Sequence, residues 1–187
     1  MKIALDISQI IYGTGVSKYT ENLISSLLSI DKANDYILFG GSLRRLSELH
    51  KYSNKIFPIP PRLADILWNK LHIIPIEYLV GKIDVFHSSD WSQPPSSAFK
   101  VTTVHDLAPI KFPKETPKDV ISAHTARLDW VKKEVDRIIV PSESTKKDLI
   151  SLDFKAEKIR VIPEAPSVNF KKQAEGKIAD LKKKLNI

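Results

Sequence analysis

The chain has 187 residues, is 42% apolar, contains no cysteine and carries a net charge of +7. That length and apolar content suit one generous folded domain and exclude a disordered composition. The lack of cysteine excludes a disulfide framework, a thiolate nucleophile and a Cys-based zinc or iron–sulfur site. Met1-Lys-Ile-Ala-Leu-Asp6 does not have the pattern of a secretory leader and reads instead as the edge of a first strand, Lys2–Asp6. A polar loop with Gly13-Thr14-Gly15 follows. Val16, Tyr19, Leu23, Leu27 and Ile30 then recur at helical spacing. Tyr36–Phe39 reads as a second strand stopped by Gly40-Gly41, and Lys55–Pro58 as a short third one.

Pro60-Pro61 opens a helical pattern with Leu63, Ile66, Leu67 and Leu71 on one side. The most apolar long segment, 56–80, carries Arg62, Asp65, Lys70 and Glu77, and no run reaches the ~20 uncharged apolar residues of a membrane span. Asp84–Ser88 and Val101–His105 read as strands. A proline-spaced loop runs through Pro109, Pro113 and Pro117 to a helix over Lys118–Lys133. Asp136–Val140 is a buried strand, Ser142 an N-cap for the next helix, and Lys158–Pro163 the last strand. Glu164–Gln173 reads as a linker, followed by a helix over Ala174–Leu185. Strands alternating with helices predict an α/β fold: a Rossmann-like, open, mostly parallel sheet with helices on both faces. From Lys146 onward, 11 Lys and Arg stand against 6 Asp and Glu. This basic third is read as a solvated face, with an acidic ligand, a partner domain or an anionic membrane surface as alternatives.

In an open parallel sheet the ligand crevice lies at the carboxyl ends of the strands. His105-Asp106 ends one predicted strand and His87-Ser88 ends its neighbour, with Asp90 and Trp91 just beyond. A histidine there can accept or donate a proton near neutral pH, and an aspartate can orient a hydroxyl. The plain alternative is a satisfied histidine beside a turn aspartate. Trp91, in a loop, suits stacking on a sugar ring, whereas Trp68 and Trp130 fall in helical patterns and are assigned to the core. Free backbone N–H groups at Gly13, Thr14, Gly15 and Val16 suit a phosphate at a helix N-terminus. The dinucleotide fingerprint is incomplete, because Lys18 occupies its third glycine and Gly40-Gly41-Ser42 replaces the ribose-binding acid. His87, Asp90, His105 and Asp106 lack metal-ligand spacing, and no Gly-x-Ser-x-Gly elbow is present.

Several motifs stand in order along nearly the whole chain. They are Gly13–Thr20, Asp84–Ser88, Thr103-Val-His-Asp-Leu107, Phe112-Pro113, Val135–Leu149 and Lys158–Pro163. Together they resemble family 4 (group 1) glycosyltransferases. The resemblance implies the N-terminal half of a GT-B fold, with residues 1–164 as a Rossmann-like acceptor-side domain. Residues 165–187 would be a linker and helix leading to a C-terminal donor-binding domain that these 187 residues do not contain. It implies retaining transfer of a sugar from a nucleotide-sugar donor to a saccharide or lipid-linked acceptor, with no obligatory metal or other cofactor and no nucleic-acid partner.

By the same resemblance, His105 meets the transferred sugar and Asp106 positions the acceptor hydroxyl. Gly13, Thr14, Gly15 and Val16 lie near the donor diphosphate. His87, Ser88, Asp90 and Trp91 are assigned to the acceptor. A cytoplasmic protein is expected, with peripheral attachment to the inner membrane face as an open possibility, and the fragment alone is expected to be inactive. A stand-alone binding module or one subunit of a split enzyme is the other reading. Glu164-Ala165 replaces the family's usual Asn-Gly, a departure expected to touch only local hinge contacts.

Overall fold

The computed structural model describes residues 1–53, 55–166 and 171–187. Residues 167–170 of the expected linker lie outside the described residues. Among the described residues seven strands form one open sheet: β1 (Lys2–Asp6), β2 (Asp35–Gly41), β3 (Lys55–Phe57), β4 (Val85–Ser88), β5 (Phe99–Thr103), β6 (Arg137–Val140) and β7 (Ile159–Val161). Their spatial order is β3-β2-β1-β4-β5-β6-β7, and every pairing is parallel. The helices are α1 (Gly15–Ile30), α2 (Leu46–Leu49), α3 (Pro61–Ala64), α4 (Glu77–Val80), α5 (Ala108–Lys111), α6 (Lys118–Glu134), α7 (Glu143–Ser151) and α8 (Glu175–Leu185).

A parallel sheet needs helices on both faces because its strands are apolar on both. Alternation along β1 shows how this is met. Ala4 joins Phe39, Trp68, Ile76, Val80 and Phe86 on one face, under the segment 61–80. Leu5 joins Ile7, Ile24, Leu38, Leu49 and Ile56 on the other, under α1 and α2. A third cluster, with Val131, Val135, Ile138, Leu149 and Ile159, holds α6 and α7 against β6 and β7. Ser142 caps α7 as its sequence position suggests, accepting from the Thr145 amide at 3.1 Å. All residues of α8 are exposed.

The glycine pair does not stop β2, which continues through Gly41. A Cβ on Gly40 would stand 3.0 Å from Ile56 Cδ1 and 3.2 Å from Leu49 Cδ1, so the missing side chain allows close packing there. The predicted helix after Pro61 is also irregular. One α turn passes into a π-helical segment, Asp65–Lys70, closed by the Leu71 amide on the Ile66 carbonyl. Trp68 is core, as expected, but Trp130 is only half-buried. Its indole donates to the Asn69 carbonyl at 2.8 Å and its face stacks on His72 at 3.6 Å.

Candidate functional site

The strand order reverses beside β1, with β2 and β3 on one side and β4 to β7 on the other. The loops leaving β1 and β4 diverge at that point and open a crevice at the carboxyl edge. A cavity of about 420 Å³ lies there. Ser8, Gln9 and Tyr12 wall it after β1, and Ser89, Trp91 and Ser92 after β4. Arg62, Asp65 and Trp68 come from α3 and the π segment, and Asp119 and Ser122 from the first turns of α6. The Tyr12 and Trp91 rings stand 6.0 Å apart, both roughly 40% exposed, and Trp91 meets the His124 edge at 4.9 Å. Open aromatic surface beside charged groups suits a ligand with an apolar face and several hydroxyls.

A second cluster lies between α1 and the ends of β4 and β5. His87 Nε2 stands 3.0 Å from Thr103 Oγ1, which the Tyr19 hydroxyl also reaches at 3.2 Å. Burial first, then the neighbouring His105 and Arg127, push the His87 pKa down to about 4, so this ring is neutral at pH 7. His105 lies in the loop two residues past β5. Its ring meets Tyr19 edge-on at 4.7 Å, and its Nδ1 stands 2.7 Å from Glu164 Oε1. Asp106 is exposed, and its Oδ1 accepts from the Ala108 amide at 2.8 Å at the start of α5.

On the opposite face Arg127 reaches the strand ends from α6. It meets Asp90 Oδ1 at 3.2 Å, Thr102 Oγ1 at 2.6 Å and the Thr103 carbonyl at 3.1 Å. Asp6, at the end of β1, accepts from the Ser8 amide and hydroxyl. Burial still raises its pKa, outweighing the hydrogen bonds from Ser8 and Ser89 that lower it.

The fold therefore gathers the sequence-assigned residues at one sheet edge but gives them different surroundings. Trp91 lines the large cavity. His87 and Asp90 line a crevice of about 20 Å³ under α1. Ser88 turns to the other face, bonding Gln93 Oε1 at 2.7 Å and Thr102 Oγ1 at 2.8 Å. Gly13 (φ 70°) and Thr14 are exposed ahead of α1 and Gly15 is exposed as its first residue, with nothing within 4 Å of a Cβ built on either glycine. Val16 is half-buried in the first turn. Among the described residues no three His, Asp or Glu side chains gather as a metal-binding group.

Sequence reasoning missed Tyr12, Gln9, Tyr19, Arg127 and Glu164. Arg127 did leave a signal, a charge set beside Leu128 and Val131 on the apolar stripe of α6. Glu164 corrects the expectation that its departure concerns hinge contacts alone, since it pairs with His105 itself.

Residues 13–165 match the sequence profile of Glycosyltransferase Family 4. No curated protein matches the chain in sequence. Among solved structures, Anabaena HepE in complex with UDP and glucose superposes with a TM-score of 0.58 at 17% identity, over 100% of this chain and 50% of that one. HepE in complex with UDP gives 0.57 at 17% identity, over 99% and 50%. HepE in complex with UDP-glucose gives 0.56 at 15% identity, over 100% and 50%. The chain thus spans half the length of these structures, and at this identity the likeness is one of fold: a Rossmann-like sheet matching the N-terminal half of a GT-B glycosyltransferase.

Proposed function

The chain belongs to Glycosyltransferase Family 4, and from that premise we propose that it forms the acceptor-side half of a retaining transferase using a nucleotide-sugar donor. The observation that carries this reading is the 420 Å³ cavity walled by Tyr12 and Trp91 at the strand-order reversal. Its aromatic and charged walls suit a saccharide acceptor, and its mouth lies on the same sheet edge as the loop bearing His105 and Asp106. HepE complexes hold UDP, glucose and UDP-glucose, so uridine diphosphate sugars are the first donors to test.

In this reading the acceptor sugar packs on Trp91 and Tyr12, and Asp106 aligns its attacking hydroxyl. His105 meets the transferred sugar, and the amides of Gly13–Val16 face the diphosphate as it leaves with the bonding electrons. The new glycosidic bond forms on the face the diphosphate vacates, through an oxocarbenium-like transition state, and the hydroxyl proton departs with the leaving group. No metal enters these steps, and residues 165–187 lead towards a donor-holding domain.

The acceptor is a saccharide or a lipid-linked one. Among the described residues no helix is long and apolar enough to cross a membrane. Leu63, Ile66, Leu71, Ile73 and Ile74 are nevertheless exposed beside Arg62 and Lys70, near the cavity. That composition favours peripheral contact with an anionic bilayer. Isothermal titration of the chain with oligosaccharides and with UDP-glucose tests the reading. Measurable saccharide binding, lost in Trp91→Ala, supports it. Robust transfer by this chain alone would overturn the division into acceptor and donor halves.

A further inference from the structure

Glu164 lies outside the assigned site residues, yet it bonds the histidine that the proposed reaction uses. Its Oε1 stands 2.7 Å from His105 Nδ1. The His105 side chain is only 11% exposed, and the Tyr19 ring packs edge-on against it at 4.7 Å. A carboxylate only accepts hydrogen bonds, so the proton sits on Nδ1. The bond made by one imidazole nitrogen decides the state of the other. His105 Nε2 is buried and has no hydrogen-bond partner among the described residues. On the neutral ring it is left as a bare lone pair, shielded from bulk water.

We propose that Glu164 is a positioning residue that holds His105 in its Nδ1-protonated form, keeping Nε2 as the acceptor for a hydroxyl of the transferred sugar. This rests on the reading of His105 as the residue that meets that sugar. Glu164 itself is 42% exposed. A hydrogen bond to a carboxylate so open to water contributes little to stability, which separates a role in setting the tautomer from a role in holding the fold. Glu164 also stands in the stretch that leaves β7. The course of that stretch therefore bears directly on the state of His105.

Nitrogen-15 NMR of the imidazole rings in the labelled chain, at a pH where they are neutral, reads the proton position directly. The wild-type His105 should show a protonated Nδ1 and a bare Nε2. Glu164→Ala should lose most of the Nδ1–H signal in favour of Nε2–H, while Glu164→Gln, whose amide oxygen still accepts, should retain it. The melting midpoint should move by no more than about 2–4 °C in either variant. A wild-type ring protonated on Nε2, or an unchanged ring in Glu164→Ala, would overturn the proposal. A chain with the expected ring signature that binds no saccharide or UDP-glucose would instead sink the sugar-transfer reading and leave the Glu164–His105 assignment standing.

Discussion

Asp90 Oδ1 lies 3.2 Å from Arg127 Nη1, and the arginine is 1% exposed. The pair ties the loop after β4 to α6, the two elements that bring Trp91 and Asp119 to the cavity. Arg127 also bonds Thr102 and the Thr103 carbonyl, so one side chain joins the end of β5 to the loop after β4. Removing one member of such a pair leaves a buried charge without compensation, at a cost of about 3–5 kcal/mol. Arg127→Met should therefore destabilise strongly in urea denaturation. Asp90→Asn combined with Arg127→Met should recover part of that loss. If the losses in Arg127→Met and in Asp90→Asn alone simply add up to the loss in the double variant, the pair is not coupled.

His87 supplies a pH dependence of known sign. Its pKa falls from 6.5 in the unfolded chain to about 4 in the fold, chiefly through burial. Below pH 6.5 the unfolded state takes up a proton that the folded state refuses, so stability falls as pH drops from about 6.5 towards about 4. Above that window the histidine contributes no slope. Thermal melts between pH 8 and pH 4 should steepen in their decline below pH 6.5. His87→Gln should flatten that part of the curve while keeping a polar partner for Thr103. An equally steep decline in the variant would assign the slope to other groups.

Much of this architecture is legible in the residues themselves. All seven strands are marked by short apolar runs between turn residues, and their alternation with helical spacing dictates a parallel sheet. The errors arise where tertiary contact overrides a local rule. Gly40-Gly41 looks like a strand stop, yet it continues β2 because Ile56 and Leu49 need the space a side chain would fill. His87 and Ser88 look like one ligand edge, but successive residues of a strand face opposite ways, so the pair divides between α1 and α6. Glu164 could not be linked to His105 from spacing, because 59 residues separate them and only the β5–β6–β7 pairing brings them together.

Trp91 is the residue through which the cavity reading is most directly tested. Its half-exposed ring sits between Tyr12 and His124 and supports none of the three core clusters. Trp91→Ala should weaken binding of a saccharide acceptor about tenfold, or about 1.4 kcal/mol, with the melting midpoint little changed. Trp91→Phe should retain most of the affinity, because an aromatic face remains. Fluorescence titration with an oligosaccharide panel measures both. Undiminished affinity in Trp91→Ala would place the acceptor elsewhere on the sheet edge.

Gly15 separates folding from donor binding. It opens α1 with a helical backbone, and nothing lies within 4 Å of where a Cβ would stand. Alanine there loses less backbone freedom on folding, so Gly15→Ala should be neutral or stabilising by up to about 1 kcal/mol. Gly13, at φ 70°, differs: an alanine would be forced into the left-handed region and should destabilise by about 1 kcal/mol. If the amides of this loop face a diphosphate, the new methyl of Gly15→Ala stands where the phosphate approaches the backbone. UDP-sugar affinity should then drop at least tenfold in a protein that melts no earlier than wild type. Unchanged affinity alongside unchanged stability would reduce the glycine loop to a turn and move the diphosphate away from α1.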